Sequence, residues 1–197
     1  MIHAHGAATN PRVLVILGST RKGRICHKVG AWVADIGREL TGHAFEVVDL
    51  RDWPLLTDDE PGIPAGVAGD YANDHTRAWS RKVSEGDAIV FVTPQYNWGY
   101  PASLKNALDH LYGEWRGKPA VIVSYGSHGG GKCAQQLRQV IEGLNMRPME
   151  TMPGLRLSRA LIEANDCSVE PERDFASDIQ QVRQAFGELA SALQSET

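Results

Sequence analysis

Short apolar runs and amphipathic stretches alternate along the chain. Val13-Leu14-Val15-Ile16-Leu17 is continuous, rich in β-branched residues and too short for a helix. It predicts a strand buried on both faces, as in a parallel sheet. Gly18 ends it. Ile25, Val29, Trp32, Val33, Ile36 and Leu40 then recur at spacings of 4, 3, 1, 3 and 4, which draws one face of a helix. Gly42 follows as the residue that closes it. Residues 45–50 predict a second strand. A helix over 71–85 carries Ala78, Trp79, Lys82 and Val83 on one face. Ala88-Ile89-Val90-Phe91-Val92 is a third buried strand, cut off by Pro94. Pro101 stands at the first turn of the next helix, whose stripe is Leu104, Ala107, Leu108 and Leu111. Ala120-Val121-Ile122-Val123 predicts a fourth strand, and residues 132–143 a helix with Cys133, Leu137, Val140, Ile141 and Leu144 in register. Residues 146–152 hold a short fifth strand. Phe175, Ile179, Val182, Phe186, Leu189 and Leu193 step by 4, 3, 4, 3 and 4 in a final helix.

Strand and helix thus alternate five times. This argues an α/β three-layer sandwich around a parallel sheet. Five strands favour the flavodoxin-like order 2-1-3-4-5 over a six-stranded dinucleotide fold. With 197 residues and no linker, residues 11–197 read as a single domain. Residues 1–10 are small, polar and unpatterned, and are expected to be disordered. Residues 51–70 form a long loop with Pro54, Pro61, Pro64, Gly62, Gly66 and Gly69. Loops of that length are usually functional or disordered.

Charge removes several functions. Twenty Lys and Arg against 24 Asp and Glu leave −4, which offers nothing to nucleic acid. No apolar run reaches the ~20 residues of a membrane helix, and the N-terminus lacks the pattern of a signal peptide. Cys26, Cys133 and Cys167 are too few and too scattered for a disulfide framework or a CxxC metal knuckle. A reducing cytoplasm is the simplest home.

In an open parallel sheet, ligands sit beyond the carboxyl ends of the strands. Three loops there carry candidate chemistry. Gly18-Ser-Thr-Arg-Lys-Gly-Arg24 brings two glycines, two hydroxyls and three cations to a helix N-terminus. Free amides and the helix dipole favour an anion there, and arginine adds bidentate bonds to phosphate. It is not the dinucleotide fingerprint, because Thr20 stands where the second glycine belongs. Thr93-Pro-Gln-Tyr-Asn-Trp-Gly-Tyr-Pro101 places flat side chains on one short loop, suited to a planar heterocycle. Ser124-Tyr-Gly-Ser-His-Gly-Gly-Gly-Lys132 has glycine at four of the six positions 126–131, which permits close backbone approach. Gly126 to Cys133 spells all but the last residue of a phosphate-binding P-loop. Cys133 is a poor magnesium ligand, and the loop follows the fourth strand, so that reading is set aside. Together the loops form a phosphate cradle and two walls for a planar ring.

On these three motifs, with Pro101-x-x-Leu-Lys-Asn-Ala-Leu-Asp109, the sequence resembles the NAD(P)H-dependent FMN reductase family over about residues 11–150. The resemblance implies a flavodoxin-like domain that binds FMN and uses NADPH or NADH. It implies that Ser19, Arg21, Gly23 and Arg24 hold the phosphate. Pro94, Gln95, Tyr96 and Asn97, with Trp98 beside them, would line the ribityl chain and ring edge. Ser124, Tyr125, Gly126 and Gly129 would border the ring from the other side. It implies a ping-pong hydride transfer to a small acceptor (a quinone, azo compound or flavin) with no protein nucleophile, and a homodimer or homotetramer. Many members have Glu where this chain has Gln95. A flavodoxin-type carrier without NAD(P)H turnover is the alternative, but carriers tend to be more acidic than −4.

Other residues read more simply. His128 is a solvated loop histidine. Cys26 and Cys133 are small buried helix residues. Lys105 and Asp109 are a surface pair, and Asp58-Asp59-Glu60 is a solvated acidic loop. Trp53 and Trp79 flank the long loop and pack it down, or line an interface.

Overall fold

All five residues of the first apolar run are essentially inaccessible to solvent, so both faces of the strand they form must be covered. The computed structural model, which describes residues 10–67, 69–164 and 166–195, shows how. Strand β1 (Arg12–Leu17) lies between β2 (Ala44–Asp49) and β3 (Ala88–Pro94), and β3 pairs with β4 (Pro119–Gly126). Every pairing is parallel, with Leu17 level with both Asp49 and Val92, and Pro94 level with Tyr125. The carboxyl ends therefore emerge along one edge.

The side chains of β1 split the core in two. Val13, Val15 and Leu17 point to α1 (Cys26–Thr41) and to the last long helix, α8 (Ile179–Gln194). Leu14 and Ile16 point to α3 (Asp74–Ser84), α4 (Ala102–Asp109) and α5 (Gly131–Gly143). This is the expected three-layer sandwich in the order 2-1-3-4-5. Gly42 closes α1 in the left-handed region at φ 71°, its N–H on the Arg38 carbonyl. Leu111 stays in the core but lies beyond the end of α4.

The fifth strand departs from expectation. It is two pieces, β5 (Arg147–Pro148) and β6 (Gly154–Arg156), both paired with β4. Pro148 and Pro153 lack an N–H, so a continuous ladder over 147–156 cannot form. The segment after β6 also holds α6 (Arg159–Ala164) and α7 (Pro171–Asp174), which no hydrophobic period announces. Phe175 caps α7 instead of opening the final helix, yet remains fully buried.

The described residues of the 51–70 loop have structure of their own. A 3₁₀ turn at Leu50–Asp52 and a short α2 (Pro64–Val67) interrupt it, and Trp53 stacks at 5.0 Å on the buried Trp79. Asp59 and Glu60 are half-buried and partnered instead of fully solvated. Glu60 accepts the amides of Ala72 and Asn73 at 2.9 and 3.0 Å, and Asp59 meets His75 at 2.8 Å. The turn before α3 presents free amides that a nearby carboxylate satisfies. The expectation for residues 1–10 lies outside the described residues, except at Asn10, whose amide donates to the Gly42 carbonyl.

Candidate functional site

The three loops converge on one cleft of about 370 Å³. The first contributes Arg21, Gly23, Arg24 and Ile25; the second Pro94, Gln95 and Tyr96; the third Tyr125, Gly126 and Ser127.

The first loop leaves β1 with the Gly18 N–H on the Val92 carbonyl at 2.9 Å. Ser19 is fully buried, and its hydroxyl shares a 2.8 Å hydrogen bond with the Tyr96 hydroxyl. Arg21 is exposed and lays its guanidinium 3.5 Å above the Tyr96 ring, a cation–π contact. Gly23 is exposed at the rim. Arg24 is 6 % exposed and ion-paired through Nη2 with Asp49, the last residue of β2. Its Nε and Nη1 are buried without a hydrogen-bond partner among the described residues. A buried cation with unsatisfied donors is costly, and here it lies beside the first turn of α1.

The second loop turns sharply. Tyr96 and Gly99 exchange backbone hydrogen bonds at 2.8 and 3.0 Å, with Asn97 at φ 48° and Trp98 at φ 74° between them. A bulky side chain at positive φ is strained, and such strain clusters at functional sites. The turn leaves Asn97 exposed and Trp98 66 % exposed, with the Lys132 ammonium 5.1 Å above the indole. Neither residue lines the cleft floor. Gln95 turns its side chain to α5, where Oε1 accepts the amides of Lys132 and Cys133 at 3.1 and 3.2 Å. Its own N–H donates to the Tyr125 carbonyl.

In the third loop, the Ser124 hydroxyl is buried and donates to the Gly129 carbonyl at 2.8 Å, so it shapes the loop from behind. Gly129 and Gly130 adopt φ 76° and 78° and draw the chain tightly into α5. A Cβ on Gly126 would make ordinary contact with Gln95 Cβ at 3.6 Å and the Gly130 nitrogen at 3.8 Å, and the glycine leaves bare backbone at the cleft. Burial raises the phenol of Tyr125 well above its ordinary range, helped by the adjacent Cys26. Burial likewise raises the thiols of Cys26 and of Cys133, the latter to about 12. Both are inert helix residues, as expected. His128 is exposed, within 3.0 Å of the Ser127 hydroxyl.

A fourth wall escaped the sequence reading. Leu157, Leu161, Ile162, Cys167, Ser168 and Val169, from β6 through α6 and beyond, close the far side of the cleft. Leu157 lies just after β6, and only Leu161 and Ile162 stand on α6, too few to show a period on a helix of six residues. Asp49 was also missed; its place at the carboxyl end of β2 was the available clue.

The residues fit an anionic, flat ligand. Arg24 offers buried unsatisfied donors at a helix N-terminus, and Gly126 lines the cleft with bare backbone. A parallel 2-1-3-4-5 sheet with one composite cleft at its carboxyl edge is the flavodoxin-like class. The sequence pattern of NADPH-dependent FMN reductases matches residues 11–154. An NAD(P)H-dependent FMN reductase from Schizosaccharomyces pombe is 49% identical over 185 residues, covering 94% of this chain and 92% of the relative. A quinone reductase from Pseudomonas putida is 31% identical over 155 residues, covering 75% of this chain and 78% of its own. Among solved structures, the flavoenzyme NAD(P)H:(acceptor) oxidoreductase FerB from Paracoccus denitrificans superimposes with a TM-score of 0.66 at 22% identity, covering 94% of this chain and 98% of that one. That likeness shows the fold. The chain belongs to the NADPH-dependent FMN reductase family and is an enzyme of that kind.

Proposed function

We propose that the cleft holds one FMN and that the enzyme passes reducing equivalents from NADPH or NADH to a small acceptor of the quinone, azo or flavin type in a ping-pong cycle. Bound FMN would supply the hydride chemistry. The chain supplies position and charge. Arg21, Arg24 and the first amides of α1 would take the phosphate, with Ser19, Gly23 and the Ser19–Tyr96 bond shaping the loop. Pro94, Gln95, Tyr96 and Asn97 would border the ribityl chain and ring edge, with Trp98 above the mouth. Tyr125, Gly126 and Gly129 would form the opposite border, held in shape by Ser124. Amides of the glycine loop would stabilise negative charge on the reduced ring. Leu157, Leu161 and Ile162 add an apolar side that keeps water from it.

The observation that carries this reading is Arg24, buried at the α1 N-terminus with Nε and Nη1 unpaired. Exposed Ile63 (78 %), Trp98 (66 %) and Leu56 (61 %) support a homodimer or homotetramer. Widely spaced free thiols support a cytoplasmic setting, and residues 11–197 are read as one domain. Among the described residues, no helix is long and apolar enough to cross a membrane.

Arg21→Ala tests the phosphate assignment. Its side chain is exposed, so folding is expected to survive. Loss of one charge-assisted contact is expected to weaken FMN binding about 10- to 100-fold, read as flavin lost on dialysis. Unchanged flavin content would show that Arg21 does not hold the phosphate. A yellow preparation that oxidises neither NADPH nor NADH in the presence of a quinone would favour an electron carrier.

A further inference from the structure

The long loop contributes Asp59 to a cluster that the cofactor cleft does not use. Asp59 of that loop, His75 in the first turn of α3 and His110 just after α4 each bring one potential ligand atom within 4.8 Å of the other two. His110 is 5 % exposed, and the side chains of Asp59 and His75 are 22 % and 21 % exposed. His75 Nε2 is 2.8 Å from Asp59 Oδ2, yet Nε2 and Asp59 Oδ1 are buried without a hydrogen-bond partner among the described residues. The contact has the length of an ion pair without the alignment of a hydrogen bond. Asp59 Oδ1 is left with no donor and His75 Nε2 meets its carboxylate off-axis, so both atoms have capacity for a third party.

The surroundings resemble those of a metal ligand set. His110 Nε2 lies 2.9 Å from the Leu56 carbonyl, so Nε2 carries the proton and donates, leaving Nδ1 with the lone pair. A carbonyl holding the other ring nitrogen is the usual device that orients a ligating imidazole. The Thr76 hydroxyl is 3.1 Å from Nδ1, the place a metal ion would take from it. The Asp59 backbone is fixed by the Asn73 amide on its carbonyl at 2.9 Å. A crevice of about 190 Å³ reaches the cluster past Asp58, Glu60 and Asp109, an acidic approach suited to a cation.

We propose that Asp59, His75 and His110 bind one divalent transition-metal ion, with zinc the best match to two imidazoles and a carboxylate. Four-coordinate zinc with ligands at about 2.0–2.2 Å leaves its fourth position to water. The ligand atoms must draw in from the present spacing, a small movement for side chains that already face one another. The ion ties the long loop to α3 and to the end of α4. The proposal is independent of the flavin assignment.

The test is a zinc titration by calorimetry on tag-free protein in chelator-treated buffer. One zinc per chain with Kd below about 10 µM is expected, weakened at least tenfold in His75→Gln and in Asp59→Asn. Both variants need native circular dichroism for the comparison to count. A cobalt(II) titration of the unaltered protein gives the visible bands of a four-coordinate site, a readout that needs no variant. Absence of saturable zinc binding at 100-fold excess would overturn the proposal. So would zinc binding of unchanged affinity in folded His75→Gln and Asp59→Asn, which would point to His3 and His5 instead.

Discussion

Two loops leave neighbouring strands at the same edge of the sheet and are held by opposite means. The loop after β1 has a buried anchor in Ser19 but leaves charge unspent: Arg21 and Lys22 are exposed, and Arg24 keeps two unpaired donors. The loop after β2 is tied to the elements beside it. Glu60 accepts the amides of Ala72 and Asn73, and Asn106 and His110 donate to the carbonyls of Leu55 and Leu56. A loop whose polar groups are met by its neighbours is built for position. One that keeps donors unsatisfied beside bare backbone is built for a ligand. The cluster at Asp59 is the exception within the second loop, and for that reason it reads as a second receptor.

The contrast implies that the cofactor edge is most sensitive in its backbone and the second loop in its carboxylates. Gly130→Ala is the severest test of the first half. Gly130 sits at φ 78°, and a Cβ there would stand 2.8 Å from Ser124 Cβ and 3.0 Å from the Tyr125 nitrogen. Left-handed backbone with a side chain costs about 1–2 kcal/mol, and overpacking adds about 1–3 kcal/mol. Urea unfolding is expected to show a loss of about 2–4 kcal/mol. A loss below about 1 kcal/mol would mean that the glycine loop yields, and that its shape is not what fixes the cleft.

Glu60→Gln probes the second loop. Against the desolvation that burial imposes, the Thr76 hydroxyl and the amides of Ala72 and Asn73 hold the Glu60 carboxyl below its ordinary value of 4.5. A carboxylate with a lowered folded pKa contributes stability that is fully present above the unfolded value. That contribution is lost as pH falls through the folded one. The variant is expected to be about 1 kcal/mol less stable at pH 7, a charge-assisted bond discounted for solvent. The two proteins should converge as pH drops below 4.5. A difference that persists at pH 3 would assign the effect to packing.

The sheet was readable because buried parallel strands are continuous apolar runs, and α1 and α8 because their stripes are long. The split β5/β6 was not, because Pro148 and Pro153 interrupt pairing in a stretch where Arg147, Glu150, Thr151 and Gly154 already break up the apolar residues. The far wall of the cleft lies on short α6, which is too brief to show a period. The loop at 18–24 was legible because glycine beside arginine after a strand is unusual on physical grounds. Asp59, by contrast, sits in a run of three acids, and nothing in the run says which residue finds a histidine 16 or 51 positions away. Local pattern reveals chemistry carried by neighbours in sequence, and misses chemistry assembled by the fold.

Gln95 joins both kinds of information, and a single-atom change in it is the mildest test. The resemblance to FMN reductases marks this position because glutamate is frequent there, while the fold reveals what the side chain does: Oε1 receives the Lys132 and Cys133 amides in the first turn of α5. Gln95→Glu would set a negative charge on that helix N-terminus. Such a charge is worth about 0.3–1 kcal/mol, or a rise in Tm of about 1–4 °C for a chain of this size. The gain should be fully present above the unfolded glutamate value of about 4.3 and be lost as pH falls through the lower folded value. Calorimetric scans at about pH 7 and about pH 3 read it directly. If Tm at pH 7 is unmoved, the amide oxygen already serves the helix fully, and the choice between Gln and Glu must act through the ligand or a neighbouring subunit.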